Sequence, residues 1–325
     1  MAHRRPNPFL SRLPAFFVGS GLTLFAFYFI FLRPAKAPTA EAVPPAPVAT
    51  VEPAPVATPA VTIEVVEETV LPAPEPKPAP AQDLAFEKFA AEGKLFEARA
   101  EIAILFKKEI GDAARAAIAE KAIEINQRLL MTRPDPRDIE IAEIMQGENP
   151  TTFCRRFKQL HGEYGLIQLL NNIRNVQTVR AGTHLRVPKG TWSIFVDKSL
   201  FTLYLCYQGT PFKAYRVCIG ADDKTPAAEF VVGIKNPKPA WYAPPEWIEE
   251  EDEKNPVPYG HAKNPLGEYW IGIDHPLHHG FGIHGTNAPE TIGTKASNGC
   301  VRMLNDDVVE IARIAWKGMN VTIVE

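Results

Sequence analysis

A histidine and a cysteine near the C-terminus have the types and the surroundings that nucleophilic chemistry requires. His284 follows a short apolar stretch, and Cys300 comes sixteen residues later in a turn that contains Gly299. A thiol needs a base to become a thiolate at neutral pH, and histidine is the side chain that titrates in that range. The turn lets backbone N–H groups converge on one point, as an oxyanion hole requires. These are the residue types that a cysteine nucleophile, Cys300, and its base, His284, would need, although a single histidine and a single cysteine in a loop most often occur together by chance.

The elements that must position this pair are predicted to be β-strands with one helix behind them. Alternating apolar residues indicate strands at 192–196, 200–207, 212–219, 228–234 and 269–273. Beyond the cysteine, Asn305 or Asp306 can cap a helix that runs to about residue 316. The C-terminal part of the chain is therefore expected to be mostly β, and the dipole of its one helix would add slightly to thiolate stabilisation.

The sequence around the pair resembles the catalytic domain of the L,D-transpeptidases of the YkuD type. The family signature is His-Gly-Thr, a spacer, then Ser-His/Asn-Gly-Cys and Ile/Val-Arg-Met. Here it reads His-Gly-Thr at 284–286 and Ser-Asn-Gly-Cys-Val-Arg-Met at 297–303. Asn-Pro-Leu-Gly at 264–267 and Trp-Ile-Gly-Ile at 270–273 match the strand that leads into the site. The resemblance implies a mostly-β catalytic domain over residues 190–325 with one C-terminal helix.

The resemblance also implies a cysteine-dependent acyl transfer on peptidoglycan in two steps. Cys300, whose proton His284 takes, attacks a tetrapeptide stem and releases its terminal D-Ala. An amine of a second stem then takes the acyl group and gives a 3→3 cross-link. Gly285 is the expected source of the carbonyl that orients His284. Water as acceptor would give an L,D-carboxypeptidase, and a protein lysine would give a lipoprotein-anchoring transferase. Members of the family accept carbapenems as pseudo-substrates.

Four residues that flank the nucleophile are implied to form the oxyanion hole and the substrate pocket: Ser297, Asn298, Gly299 and Arg302. Arg302 could bind a carboxylate of the stem or pair with Asp306 as a structural ion pair, and the sequence leaves both open. Ala228 stands where family members have glycine, in a segment expected to turn beside the cleft. Residues 241–254 include an acidic run and are either a flap over the cleft or a solvated loop.

Other groups are weaker candidates for chemistry, and we expect neither a metal nor a cofactor. Three histidines follow Asp274 and invite a zinc interpretation: His275, His278 and His279. Because no second cluster of ligands accompanies them, we expect a polar loop that lines the cleft. Cys206 and Cys218 fall on opposite faces of a predicted hairpin, which disfavours a disulfide. Cys154 is expected to be a buried apolar residue.

Upstream of the β domain the sequence predicts a helical hairpin or bundle over residues 83–134. Apolar residues recur there at spacings of three and four, and Asp112 is a plausible N-cap for the second part. We see no titratable cluster in this segment that would give it chemistry of its own.

A small βααβ unit is predicted over residues 138–188, between the helices and the β domain. Its strands are expected at 139–145 and 179–187, and Thr151 or Thr152 can cap its first helix. The unit resembles a LysM domain, a module for glycan strands, through Ile-Met-Gln-Gly-Glu-Asn before the helices and Val-Arg-Ala-Gly-Thr-His-Leu-Arg-Val-Pro at its end. The alternative is a small packing domain.

The N-terminal segment predicts export. Residues 1–12 carry arginines and precede an apolar stretch, residues 13–33, that is long enough to cross a bilayer. We expect residues 1–12 in the cytoplasm, residues 13–33 as an inner-membrane anchor and the catalytic domain in the periplasm. The alternative is secretion after signal-peptide cleavage near Ala37. Residues 34–82, rich in proline and alanine, predict an extended linker.

The composition restricts the partners. A net charge of -3 and the lack of a basic run exclude a nucleic-acid partner. The two family resemblances imply peptidoglycan stem peptides and glycan strands as partners, and residues 13–33 predict contact with the inner membrane. Two rival function classes remain beside the acyltransferase. A non-catalytic tether would bind the wall without any need for Cys300, and a general cysteine protease would cleave ordinary L-peptides.

Overall fold

The computed structural model describes residues 85–108, 111–243 and 256–325. The predicted cytoplasmic segment 1–12, the anchor 13–33 and the linker 34–82 lie outside these residues. Within the described ranges, no helix combines the length and the apolar character needed to span a bilayer.

Three helices fill the described part of the segment that is predicted to be helical. They are α1 (Ala85–Ala91), α2 (Leu95–Phe106) and α3 (Asp112–Gln127), and a single π-helical turn, Arg128–Thr132, extends α3. The predicted N-cap Asp112 is wrong by one position, because Gly111 has the extended backbone of a cap and Asp112 is the first helical residue. Asp112 instead accepts a hydrogen bond from the Ser199 hydroxyl at 2.9 Å, which joins α3 to the β domain.

The next unit has the predicted βααβ order. It consists of β1 (Ile139–Glu143), α4 (Pro150–Arg155), α5 (Gly165–Asn171) and β2 (His184–Pro188), and β1 pairs antiparallel with β2. Both strands are shorter than predicted. The predicted threonine N-cap is also wrong: Asn149 caps α4 and forms a reciprocal capping box with Thr152, which stands at the third helical position.

The C-terminal domain is built on nine described strands in one sheet, ordered β10-β8-β7-β6-β11-β3-β4-β5-β9. Because β10 also pairs with β5, the sheet closes on itself. The strands are β3 (Trp192–Asp197), β4 (Thr202–Tyr207), β5 (Thr210–Gly220), β6 (Ala228–Pro237), β7 (Tyr269–Asp274), β8 (Gly282–His284), β9 (Lys295–Ser297), β10 (Val301–Met303) and β11 (Asn320–Val324). One described helix, α6 (Asn305–Ile314), follows β10. The mostly-β prediction with one C-terminal helix is confirmed.

Alternation along β7, β8 and β10 separates a core face from a cavity face of the sheet. Ile271, Ile283 and Val301 have no exposed surface and lie on one face, the side on which α6 packs. Since successive strand residues point to opposite faces, the neighbours Trp270 and His284 point the other way. The apolar side chains therefore hold the three strands in register while the other face remains available for polar groups.

Buried ion pairs join the helical segment to the rest of the described chain. Arg99 of α2 makes two hydrogen bonds with the Asp138 carboxylate, at 2.7 and 2.9 Å, and the Tyr207 hydroxyl donates to the same carboxylate at 3.0 Å. Arg115 of α3 contacts the fully buried Asp197 at 2.8 Å. Each of these charges is removed from water, so each needs its partner.

Replacing Asp138 by alanine should lower the free energy of unfolding by about 3–5 kcal/mol, because Arg99 is left buried without a counter-charge. Lys121→Ala is the matched control, since the Lys121–Glu124 pair lies at the surface and such pairs contribute roughly 0–1 kcal/mol. Urea unfolding followed by circular dichroism measures both. An Asp138→Ala effect no larger than that of the control would contradict the buried-pair account.

Candidate active site

The pairing of three short strands places the predicted pair on one surface. In β8, His284 lies opposite Trp270 of the antiparallel β7 and beside Arg302 of the parallel β10. Cys300 immediately precedes β10, so its side chain falls on the same face as that of Arg302. All four side chains line one cavity of about 500 Å³.

His284 is held by the backbone of the residue that follows it. The residue is 4% exposed, and Nδ1 lies 2.7 Å from the carbonyl oxygen of Gly285, the contact that the family resemblance implies. A carbonyl only accepts, so in the neutral imidazole Nδ1 carries the hydrogen and Nε2 keeps the lone pair. The ring therefore presents Nε2 as its base.

The surroundings of His284 keep the imidazole neutral. Burial is the main cause that lowers its pKa, to about 4, and the Arg302 charge adds to the effect. The backbone carbonyls of Gly285 and Leu266 act in the opposite direction and only partly compensate. At neutral pH the ring is therefore a base without a proton on Nε2.

Cys300 is half-buried in the same cavity and rests as a thiol. Burial raises the pKa of its thiol, while a hydrogen bond from the Gly282 backbone and the charge of Arg302 oppose that shift. Sγ contacts the carbonyl oxygen of Gly280 at 3.9 Å. Although both residues are described and share the cavity, no hydrogen bond joins Sγ to His284 in this conformation. The expected contact is thus not formed here.

The turn before Cys300 is shaped by two hydroxyl groups. Gly299 has a φ of +122°, a conformation that favours glycine. The Ser297 hydroxyl donates to the carbonyl of Cys300 at 2.6 Å and accepts from the Gly299 N–H at 3.1 Å. Thr225, which the sequence analysis did not single out, is buried and donates to the Gly299 carbonyl at 2.8 Å. The Gly299 N–H is therefore already engaged, which leaves the Cys300 N–H as the turn's candidate oxyanion donor.

Asn305 has a different role from the helix cap that the sequence analysis considered. It does not cap α6, since the cap position is Leu304 and no side chain bonds there. Its Oδ1 accepts from the N–H groups of Thr286 and Glu268 at 3.0 and 3.2 Å, and its Nδ2 donates to the Thr286 carbonyl at 2.9 Å. Asn305 thus fixes the loop whose first residue, Gly285, orients His284.

The sequence left two roles open for Arg302, a contact to a carboxylate of the stem and an ion pair with Asp306. Arg302 forms no ion pair with Asp306 among the residues described, and Asp306 lines a different depression, on the surface of α6. The Nε atom of Arg302 is buried without a hydrogen-bond partner, and its side chain lines the cavity. The guanidinium is therefore a cation for which the described part of the cavity wall supplies no carboxylate partner.

Two other expectations about the cleft are wrong. The three histidines of the loop after Asp274 do not line the cavity: His275 and His278 pack against the ring of Phe230, and of this loop the backbone at Gly280 reaches the cavity. Ala228 also lies elsewhere: it begins β6, pairs with Ile323 and lines a separate depression. In the described part of the chain, no group of three His, Cys, Asp or Glu side chains is placed to hold a metal ion.

The rest of the described cavity wall comes from β6, through Ile234 and Asn236, from Ser297 of β9 and from loops. Trp241 and Tyr242, which begin the predicted flap, and Leu266 face the site together with Asn298. Residues 244–255 lie outside the described ranges, so the choice between a flap and a loop stays open.

Comparison with known proteins gives matches for the domain that contains this cavity. A family model described as the L,D-transpeptidase catalytic domain, YkuD, matches residues 191–323. "Putative L,D-transpeptidase YqjB" of Bacillus subtilis (strain 168) is 39% identical over 135 residues, which are 41% of this chain and 70% of that protein. "Putative L,D-transpeptidase YkuD" of the same strain is 32% identical over 133 residues, 41% of this chain and 65% of that protein.

A solved L,D-transpeptidase from Mycobacterium smegmatis covers 44% of this chain and 64% of its own, with a TM-score of 0.35 and 14% identity. A TM-score and a sequence identity this low support no conclusion about function.

The geometry predicts that iodoacetamide alkylates one of the four cysteines of the folded protein, Cys300. Cys154, Cys206 and Cys218 are buried, and burial raises the pKa of Cys154 to about 12 and also raises that of Cys206. Mass spectrometry of the native protein should show a single adduct, the Cys300→Ser variant none, and the unfolded chain four. Rapid native labelling of any second cysteine would contradict the burial described above.

Proposed function

Because this chain belongs to the L,D-transpeptidase family of the YkuD type, we propose that its C-terminal domain is a cysteine-dependent transferase that cross-links peptidoglycan stems. The observation that carries the proposal is the shared cavity face, on which a neutral imidazole, a half-buried thiol and an unpaired guanidinium lie together. These are the base, the nucleophile and the anion-binding group that acyl transfer to and from a carboxylate-bearing peptide requires.

In the first step Sγ rotates away from the Gly280 carbonyl and transfers its proton to Nε2 of His284. The thiolate attacks the carbonyl carbon of the stem's scissile peptide bond. When that bond breaks, the imidazolium returns the proton to the departing D-Ala nitrogen, and a thioester to Cys300 remains. Catalytic hydrogen bonds are often unformed before substrate binds, so the resting contact with Gly280 is compatible with this sequence of events.

The tetrahedral intermediate carries an oxyanion beside the turn. Since the Gly299 N–H is held by Ser297, the N–H of Cys300 is the donor that the turn offers. Thr225 and Ser297 support this geometry by fixing the carbonyls of Gly299 and Cys300. Both act on the shape of the turn and not on the reacting atoms.

Arg302 recognises a carboxylate of the stem. It is the one fixed charge on the described cavity wall, and that wall carries no aspartate or glutamate. A buried guanidinium nitrogen without a partner favours a ligand that supplies an acceptor.

In the second step an amine of another stem attacks the thioester carbon and His284 accepts the proton of that amine. The C–S bond then breaks, an amide is formed, and the imidazolium returns the proton to the departing Cys300 sulfur. Hydrolysis by water or transfer to a protein lysine would use the same acyl-enzyme, so the acceptor defines the product. The βααβ unit would act as a LysM-like glycan module, and an anchor at residues 13–33 would hold the enzyme at the inner membrane with its cavity in the periplasm.

Cys300→Ala should abolish both product formation from a tetrapeptide muropeptide and the covalent carbapenem adduct. His284→Gln should slow acylation by about 10²–10⁴-fold, the usual contribution of a general base. Mass spectrometry of the digest distinguishes cross-linked from trimmed product. Unchanged wall binding together with no turnover by the wild-type protein would favour the tether, and cleavage of casein would favour a protease.

The rate of carbapenem acylation should stay level from neutral pH down to about 5 and fall only as the pH drops through about 4. The base must be neutral to accept the proton, and its pKa is lowered to about 4. Stopped-flow absorbance at a series of pH values measures this limb. An acid limb near the ordinary histidine value of about 6.5 would contradict the buried base.

Arg302→Gln should raise KM for the tetrapeptide by about tenfold or more, since a charge-assisted contact to the stem carboxylate is lost. It should also move the acid limb to higher pH, because the Arg302 charge lowers the pKa of His284. Arg302→Lys is the matched control that keeps the charge and should retain the position of the acid limb. Equal KM values for the wild type and Arg302→Gln would exclude the carboxylate contact.

A further inference from the structure

The indole ring of Trp270 stacks on the imidazole of His284, the candidate base. Trp270 stands opposite His284 across the β7–β8 pair, with ring centroids 5.6 Å apart and the ring planes at 23°. The two rings line the same cavity as Cys300. The buried imidazole thus has two described contacts that can orient it: Nδ1 on the Gly285 carbonyl and its ring plane on the indole.

Two glycines clear the space in which the indole lies. Gly272 and Gly282 face each other in the same strand pair. A Cβ added to Gly282 would come within 2.6 Å of the Trp270 ring carbons, and one added to Gly272 within 3.3 Å of its Nε1. Neither glycine has a positive φ, so the backbone does not require glycine at these positions. Space for the Trp270 ring is therefore the physical reason for a glycine at each of these two positions.

The imidazolium formed during catalysis has no carboxylate to stabilise it on the described cavity wall. The titratable groups that face the ring are Cys300 and Arg302, both on the β10 side, and the cationic Arg302 disfavours a second positive charge. From the segments outside β10, the backbone carbonyls of Gly285 and Leu266 interact with the His284 ring. The negative face of the Trp270 indole, which stacks on the imidazole, attracts a cation there.

We propose that Trp270 is a positioning residue for the acyl transfer: its π face orients the His284 imidazole and stabilises the imidazolium that forms when the Cys300 proton arrives. The proposal rests on the function proposed above. It assigns Trp270 to the transition state and not to substrate binding, so it makes a distinct kinetic prediction.

Single-turnover acylation by a carbapenem, measured over a range of carbapenem concentrations, separates the two assignments. Trp270→Leu should lower the limiting acylation rate by about tenfold, the size expected when a partly desolvated cation–π contact is lost. The half-saturating concentration should stay the same. Trp270→Phe, which keeps a weaker π face, should recover part of the lost rate. Trp316→Leu is the matched control, because Trp316 stacks on His161 outside the cavity, and it should acylate like the wild type.

A limiting rate unchanged in Trp270→Leu would overturn the proposal, and so would a higher half-saturating concentration with an unchanged limiting rate, which would make Trp270 a substrate platform. If Trp270→Leu does not fold, Gly282→Ala is measured in its place, because the added Cβ displaces the indole while Trp270 is kept. A limiting rate in Gly282→Ala equal to that of the wild type would also overturn the proposal. Absence of any adduct on the wild type would instead refute the proposed function itself.

Discussion

The pairing of β10 with β8 is the contact on which the whole site depends. Val301 lies beside Ile283 with both side chains fully buried, and this apolar contact sets Arg302 beside His284 on the opposite face. A slip of one residue would bury the polar face and expose the apolar one, so the hydrophobic core enforces the register. Because β10 also pairs with β5, the strand that carries the thiol is held from two sides. Core packing therefore positions the reacting groups, because the side chains that stabilise the sheet alternate along each strand with those that line the cavity.

The second constraint is electrostatic. Burial and a nearby guanidinium keep the His284 imidazole neutral, and the described cavity wall contains no acidic partner for it. The Cys300 thiol is likewise kept protonated by burial. The resting pair is therefore a neutral thiol and a neutral base, and charge separates only when a substrate is present. The backbone carbonyl of Gly285 takes the orienting role that a carboxylate has in many catalytic triads, at the price of weaker support for the imidazolium.

The sequence predicted the strands with alternating patterns and the helix α6, since each depends on neighbours in the chain, whereas the His284–Gly285 contact was expected from the family resemblance. It missed Thr225 and Asn305, whose partners lie 74 and 19 or 37 residues away and leave no local pattern. It placed helix caps at Asp112 and at a threonine because residue type alone does not show where helical backbone begins. The histidine loop was misplaced for a similar reason: its rings pack on Phe230, a contact decided by the fold. Strands of three residues such as β8 and β10 are too short for periodicity to define. Sugar binding by the βααβ unit and the membrane anchor remain predictions.

The most direct test of the account is a crystal structure of the full chain after reaction with a carbapenem. We predict a thioester bond to Sγ of Cys300, with Nε2 of His284 turned toward that sulfur and Nδ1 still on the Gly285 carbonyl. An adduct on any other side chain, or an imidazole that presents Nδ1 to the sulfur, would contradict the claim that this sheet register assembles the nucleophile and its base.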